Sequence, residues 1–309
     1  MLLTFSKKVY QNSCIFFYRC IILITINKTL INKSSLSYVT LRRKQMSSSN
    51  HKALEQYDVK KFRTPDGYTS DIAVFTIVPT HTEAYKPPKM DLKLLLIKRS
   101  DLNAEGDVNI EAGKWALPGG FVQENESAYE AAKRELLEET SIKDIHVKHF
   151  SVYDQPGRDP RGWIITNAHY AIVPESHLIN RKANDDAAEV HLFTIEEVLE
   201  LASTSQLAFD HDKIIKEAIK NIKTDLLQTT IAKEFLPKNF TFSELQAVLL
   251  TVTKDPAITS NQSFIRKIKT LPFIAAVPGM TTQRTSKTPT QLYTFIDMEI
   301  VKPIYTARY

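Results

Sequence analysis

Early in the chain, apolar residues form two short and nearly unbroken runs, at 71–78 and 92–98, each bounded by polar or proline-containing stretches. Aliphatic runs of this length predict buried strands. Between them lies a loop, 81–89, with Pro87-Pro88, and a second polar loop, 101–111, leads to Trp115. Segments 146–153 and 163–173 predict two further strands, and 189–193 a short one. Helical spacing appears at 127–140, where Ala128, Ala131, Ala132, Leu136 and Leu137 make an apolar face. It returns in a short helix over 195–199 and in 212–227, where Ile214, Ile215, Ala218, Ile219 and Ile222 share one side. Strands mixed with few helices, in no regular alternation, predict an α+β fold rather than a doubly wound sheet. After Thr241 the pattern becomes helix (242–250), turn, helix (262–270) and a β-ribbon over 273–277 and 292–296 around a polar turn with Gly279. That order predicts a winged-helix-like domain.

The helix at 127–140 carries the candidate chemistry. Ser127 is placed to cap it, with Glu130 three residues on as in a capping box. Glu135, Glu138 and Glu139 are spaced i, i+3, i+4 and share a face, where like charges repel. A hard divalent cation with oxygen ligands, Mg²⁺ or Mn²⁺, would relieve the repulsion. Arg134 can reach Glu138 one turn on or fold back toward Glu126. Gly119 and Gly120, after Pro118, allow a tight turn and leave room for a metal or ligand. The plain alternative is a solvated acidic face.

The whole spacing goes further than the three glutamates. Gly120, five residues, Glu126, seven residues, then Arg134-Glu135-Leu136-Leu137-Glu138-Glu139-Thr140-Ser141-Ile142 resembles the Nudix box, G-x5-E-x7-R-E-U-x-E-E-x-G-U, with U aliphatic. One position departs: Ser141 stands where the family has its second glycine, at the helix end, and touches no ligand position. Residues 113–120 (Gly-Lys-Trp-Ala-Leu-Pro-Gly-Gly) also resemble the family's strand and loop leading into the box. The resemblance implies a Nudix fold, a mixed β-sheet sandwiched by helices. It also implies metal-dependent hydrolysis, with Glu135, Glu138, Glu139 and Gly120 around the metal and Glu126 and Arg134 orienting the ligands.

Between the third and fourth long strands, Asp154-Gln155-Pro156-Gly157-Arg158-Asp159-Pro160-Arg161-Gly162 forms a Pro/Gly-fixed loop. Two arginines on a rigid turn suit a phosphate or carboxylate; alternatively they pair internally with the loop's own aspartates. The Gly-Arg-Asp-Pro-Arg segment resembles that of Nudix proteins that act on or sense ADP-ribose. So do Asp185-Asp186-Ala187-Ala188-Glu189 and Leu207-Ala208-Phe209-Asp210-His211. The resemblance implies that Arg158 and Arg161 bind substrate. Glu189 stands where family members often supply a further carboxylate, either ligand or base; a surface carboxylate is the alternative. At His211 a helix N-terminus suits an anion, and capping by Asp210 accounts for the same residues. His169 and His191 are assigned no role.

Charge is segregated along the 309 residues, whose net formal charge is +5. Residues 1–45 hold eight Lys/Arg and no acid, and residues 232–309 hold ten basic and five acidic, so 46–231 is left at −8. An acidic central domain needs metal to bind phosphates. Residues 14–26 are apolar but interrupted by Arg19, too short for the roughly 20 residues of a membrane span. We read 1–45 as a dispensable extension with Met46 as the natural beginning; a membrane anchor is the rival. Cys14 and Cys20 support neither a disulfide framework nor a Zn motif. The absence of export signals points to the cytoplasm.

The expected organisation is therefore an extension at 1–45, a Nudix domain over 46–227 and a winged-helix-like domain over 232–309. The last resembles the C-terminal domain of Nudix-related transcriptional regulators of NAD metabolism, through Phe-x-x-Ser-Glu-Leu-Gln, here Phe240 to Gln246, and the terminal Pro-x-x-Leu-Tyr-x-Phe, here Pro289 to Phe295. That resemblance implies operator DNA as a partner, with Arg266, Lys267 and Lys269 on the second helix and Arg284 and Lys287 on the wing as contacts. Ser263-Phe264-Ile265-Arg266-Lys267 lacks one Arg and one Asn of the family's run, and a basic interaction domain is the alternative. Two functions stand side by side: a hydrolase of ADP-ribose or a related nucleoside diphosphate derivative, and a DNA-binding regulator that senses ADP-ribose. The oligomeric state is open, a homodimer included.

Overall fold

The structure is a computed structural model, and it describes residues 48–296 apart from 62, 82, 104–105, 143–144 and 179–186. The expectations for residues 1–45, for Met46 and for Asp185-Asp186 lie outside the described residues. The chain divides into two compact units, 1–64 and 65–309. In the first, α1 (Ser48–Glu55) is followed by a 3₁₀ turn, Val59–Lys61.

The second unit starts with β1 (Gly67–His81), β2 (Lys89–Arg99), β3 (Trp115–Ala116), β4 (Gly119–Phe121) and α2 (Ala128–Thr140). Then come β5 (His146–Tyr153), β6 (Ile164–Ile172), α3 (Glu175–Leu178), β7 (Ala187–Thr194), α4 (Ile195–Ser203) and α5 (His211–Gln228). The sheet runs β3-β2-β1-β6-β5, with β4 also on β1 and β7 also on β2. β1 and β6 are parallel and the other pairs antiparallel, so the sheet is mixed. β1 begins four residues before its apolar run because Gly67–Asp71 gain ladder partners in β6 and, from Thr69, in β4. Hydrogen bonds, not apolar side chains, hold that polar end.

Alternation along β1 sends Ile72 and Val74 to one face and Ala73 and Phe75 to the other. Ala132 and Leu136 of α2 cover the first, and Ile214, Ile215 and Ala218 of α5 cover the second. Each fully buried aliphatic side chain contributes about 1.5–3 kcal/mol. Leu137, expected on the apolar face of α2, is exposed instead; the helix packs through the stripe of Ala131, Ala132, Leu136 and Thr140. The capping box forms as expected, with the Ser127 side chain accepting from the Glu130 amide and Glu130 accepting from the Ser127 amide. Ser141 takes φ 62°, the left-handed conformation usually left to glycine. A polar link also ties α5 to the sheet, as Tyr170 and Lys148 both donate to Asp225.

A 3₁₀ turn, Ile231–Phe235, leads to α6 (Phe242–Leu250), α7 (Pro256–Thr259), α8 (Asn261–Ile268) and the antiparallel ribbon β8 (Ile274–Thr282) and β9 (Thr290–Phe295). Against expectation, a separate short helix, α7, opens before the second helix; Asp255 caps it and Pro256 starts it. The ribbon register jumps between Ala276 and Thr281. Gln291 answers that irregularity by donating to the carbonyls of Val277 and Met280. Phe240, Phe242, Leu245, Val248 and Leu249 belong to the same apolar core as Leu92, Ile195 and Val198. Among the described residues no helix is long and apolar enough to cross a membrane.

Because that core is continuous, residues 65–309 should melt in one transition. Phe240→Ala, at a fully buried ring, should destabilise the whole unit by about 3–5 kcal/mol. Denaturant melts followed by far-UV circular dichroism check this; a separate early transition confined to the C-terminal helices would contradict it.

Candidate active site

The loop from β4 and the helix α2 bring four carboxylates to one corner, with Arg134 at its centre. Its Nε and Nη2 donate to the two oxygens of Glu126 at 3.1 and 2.6 Å. Its Nη1 donates to Glu135 at 2.7 Å and to Glu138 at 2.9 Å, and Nη2 also reaches the Phe121 carbonyl at 3.0 Å. Arg134 therefore makes both contacts open to it from the sequence, forward to Glu138 and back to Glu126. Its hydrogen bonds hold Glu126 below the usual carboxylate range, although burial pulls the other way.

Glu139 points elsewhere, its carboxylate accepting from the Gly119 amide at 3.0 Å. Burial first, then the charge of Glu135, pushes its carboxyl well above the ordinary range. Glu135 is raised too, chiefly by burial and against the pull of Arg134. A Cβ at Gly120 would come within 2.3 Å of the Glu135 carboxylate, so glycine is what lets that carboxylate lie against the loop.

A hard divalent cation suits this donor set of closely held carboxylate oxygens. Among the described residues no three acidic, His or Cys side chains are already gathered as a cation site. The reason is visible in Arg134, which ties down Glu135 and Glu138 itself. Glu135 and Glu139, the two carboxylates left least compensated, are those a cation would stabilise most. With Glu138 turned from Arg134, they make the set that would hold it.

A narrow cleft opens beside this corner, lined by Thr69, Asp71, Arg99, Leu117, Gly119, Gly120, Phe121, Arg158, Asp159, Arg161, Phe209 and His211 among others. Arg158 lies inside its wall, with Nε and Nη2 on the Asp210 carboxylate at 3.0 and 2.6 Å and both side chains buried. This is the internal Arg–Asp pair. Asp210 consequently makes no side-chain cap for α5, which corrects the capping expected of it. Arg161 is bound to Asp159 at 2.6 Å. Its guanidinium also lies 5.2 Å from the Phe121 ring and 4.9 Å from the Phe209 ring. Arg161 keeps part of its side chain exposed, so it is the loop arginine the structure leaves at the cleft surface. Glu189 is exposed on β7 opposite Lys98 and does not line the cleft.

Three cleft residues, Arg99, Phe121 and Asp71, went unassigned in the sequence, and His211 had only the anion and capping readings. Arg99 stacks at 5.2 Å on Phe209, whose backbone is held at φ 51°, a strained value for a bulky residue. Phe121, inside the box segment, presents an exposed ring. Asp71 carried a readable signal, a lone carboxylate at the head of an apolar strand. His211 is buried, and its Nδ1 accepts from the Leu117 amide at 2.9 Å.

On α8, Phe264 and Ile268 are buried while Arg266 and Lys267 are exposed, as is Lys269 just beyond; Lys287 is exposed on the ribbon turn. Arg284 is placed differently. Its Nε and Nη2 bind Glu244 of α6 at 2.6 and 2.9 Å, and Nη2 also reaches the Asn239 carbonyl at 2.8 Å. It fastens the ribbon to α6.

A carboxyl raised on folding costs stability as pH climbs from its unfolded value through its folded one. Metal-free Glu139→Gln should therefore melt higher than the parent at pH 7, and the gap should close below about pH 4. Each kcal/mol of relief is worth roughly 2–4 °C in a domain of this size. Thermal melts across pH in EDTA check it.

Comparison with known proteins places these features. Residues 85–218 match the NUDIX domain, and residues 232–295 match the NrtR DNA-binding winged helix domain. The chain is 30% identical over 203 residues to the ADPR responsive transcriptional repressor NtrR of Acinetobacter baylyi, covering 65% of this chain and 72% of that protein. It is 40% identical over 130 residues to an ADP-ribose pyrophosphatase of Methanocaldococcus jannaschii, covering 42% of this chain and 68% of that protein. Among solved structures, Shewanella oneidensis NrtR aligns with a TM-score of 0.57 at 26% identity, over 74% of this chain and 93% of that one. The same protein complexed with a 27mer DNA aligns at 0.55. Nudix hydrolases generally use divalent metals such as Mg²⁺ or Mn²⁺. Box, mixed sheet and C-terminal helices agree with these matches, and the chain belongs to the Nudix family, in the group that joins a Nudix domain to an NrtR-type winged helix domain.

Proposed function

We propose that this protein is a metal-dependent diphosphohydrolase acting on ADP-ribose or a related nucleoside diphosphate derivative, with a Nudix domain over 46–227 and a winged helix over 232–309. The observation that carries the reading is the complete carboxylate corner, Glu126, Glu135, Glu138 and Glu139, in which the Glu135 and Glu139 carboxyls are raised for want of positive charge. The name of the pyrophosphatase relative supports the choice of substrate.

Glu135, Glu138 and Glu139, with the Gly120 backbone, would hold Mg²⁺ or Mn²⁺. When bound, the metal offsets the diphosphate charge and lowers the pKa of water for attack at phosphorus. Glu126 fixes Arg134 through two hydrogen bonds, and Arg134 in turn orients Glu135 and Glu138. Arg161, stacked between Phe121 and Phe209, presents positive charge where an anionic ligand would enter. Arg158 supports the same wall through Asp210. Glu189, exposed, would join the site as ligand or base only by moving with its strand end.

A second reading, regulation of transcription, is favoured by the NrtR-type match and by the exposed basic face of α8. In it the Nudix domain senses ADP-ribose, and Arg266, Lys267, Lys269 and Lys287 contact operator DNA. Arg284 would act by holding the wing. The two readings are compatible in one chain.

Glu138→Gln should lower turnover by roughly 100-fold or more while leaving the melt unchanged, since it removes one metal charge without changing shape. A substrate panel with Mg²⁺ is the measurement, and near-parental activity on every substrate would end the metal role of Glu138.

For the tail, Arg266→Ala should weaken binding to the protein's own upstream DNA, with a salt slope of about −0.9 per phosphate contacted. Arg284→Ala should chiefly lower the melting temperature. Gel shifts at several salt concentrations decide it, and equal affinity for upstream and scrambled DNA would leave the tail a basic accessory domain.

A further inference from the structure

His211 cannot use both of its ring nitrogens freely. The Leu117 amide is always a donor, so Nδ1, 2.9 Å away, must accept. Burial lowers the pKa of the ring and keeps it neutral. The single proton therefore sits on Nε2, and Nε2–H is a donor. It faces the Asp71 carboxylate, 4.0 Å away, beyond hydrogen-bond reach. Asp71 is 7% exposed, and among the described residues nothing hydrogen-bonds to its carboxylate. Both side chains line the cleft. A donor and an acceptor thus stand 4.0 Å apart in the wall of the cleft, too far to bond each other and both turned to the same space.

We propose that Asp71 and His211 form a subsite for a sugar hydroxyl of the ligand, the hydroxyl donating to Asp71 and accepting from His211 Nε2–H. An oxygen in hydrogen-bond contact with both fits their separation. The cleft beside them is small, about 50 Å³, and has room for a hydroxyl against both groups. A phosphate is the wrong partner, since Asp71 would repel it. This assignment rests on the sugar-nucleotide reading of the site and names the part of the ligand that is read. It concerns recognition, at a point that adjoins the metal corner on α2, where Asp71 borders Gly119 and Gly120.

The test is titration calorimetry of the full chain with ADP-ribose, with ADP, which lacks the second sugar, and with dADP, which also lacks the 2′-hydroxyl. Runs in EDTA prevent turnover, and they are repeated with Mg²⁺ in the Glu138→Gln background. Asp71→Asn should weaken ADP-ribose by roughly 10-fold or more, the usual effect of losing a hydrogen bond to a charged group. His211→Phe should do the same, and His211→Gln, which keeps an N–H near the Nε2 position, should recover much of the loss. If ADP affinity is untouched by Asp71→Asn, the hydroxyl belongs to the second sugar. If ADP weakens equally and dADP binds the parent as poorly as ADP binds the variant, it belongs to the adenosine ribose. A carboxylate that only repels the diphosphate predicts the opposite sign: Asp71→Asn would then tighten both ADP-ribose and ADP. Tightened or unchanged affinity for both ligands in a folded Asp71→Asn protein overturns the proposal alone. A parent protein that binds no sugar-bearing diphosphate under either condition overturns the functional reading with it.

Discussion

The corner where β4 meets α2 holds more negative charge than its own residues can balance. Glu126, Glu135 and Glu138 share one guanidinium, that of Arg134, and Glu139 accepts from a backbone amide, with Arg99 as a more distant positive charge. Raised carboxyls at Glu135 and Glu139 are the direct expression of that deficit. Folding tolerates it because the rest of α2 is well made. The capping box fixes its start, Ala132 and Leu136 are fully buried against Ile72 and Val74, and Gly120 removes the one side chain that would keep Glu135 away from the loop. Charges buried without a matching partner are expensive, so the arrangement favours anything that brings positive charge to the corner.

The opposite wall of the cleft solves a different problem. Arg158 and Asp210 are both buried, and their paired hydrogen bonds meet each other's needs. Asp159, despite its own burial, is held below the usual carboxylate range by Arg161. These closed pairs make a rigid wall on which unclosed groups can stand. Arg161 is stacked between two rings, and Phe209 is held in a strained backbone conformation at the same place. Strain that persists in a packed loop is over-determined by its surroundings; here the buried Asp210 and His211, which directly follow Phe209 at the start of α5, supply that constraint.

Much of this was legible before any coordinates. Apolar runs located the long strands, the helical spacing of 212–227 located α5 within a residue at each end, and the box spacing located α2 and its cap. What remained hidden depended on distance in sequence. The polar end of β1 is a strand only because β4 and β6 flank it, which no local window contains. The choice between ligand contact and internal pairing for Arg158 turned on Asp210, fifty-two residues away. Arg284 likewise reads as a wing cation until Glu244, forty residues earlier, is found beneath it. The left-handed backbone at Phe209 leaves no trace in residue type at all.

The position of α6 bears on how a cleft and a wing in one chain can affect each other. Its apolar side, through Leu245 and Val248, packs into the core shared with Leu92 of β2 and Ile195 of α4. At its first turn, Glu244 caps the helix through Thr241 and also holds Arg284 of the ribbon. One helix thus touches the Nudix sheet with one side and fixes the wing with its N-terminal end. Contact alone transmits nothing; a ligand shifts a distant site only if it binds two arrangements of the connecting element unequally. A close-packed core does not deform gradually, so any such second arrangement would move α6 as a body and carry Arg284 with it. The Glu244–Arg284 pair is then where a change in the sheet would be converted into a change in the ribbon. Breaking it should separate ligand binding, which depends on the cleft, from any ligand effect on DNA, which would depend on the wing.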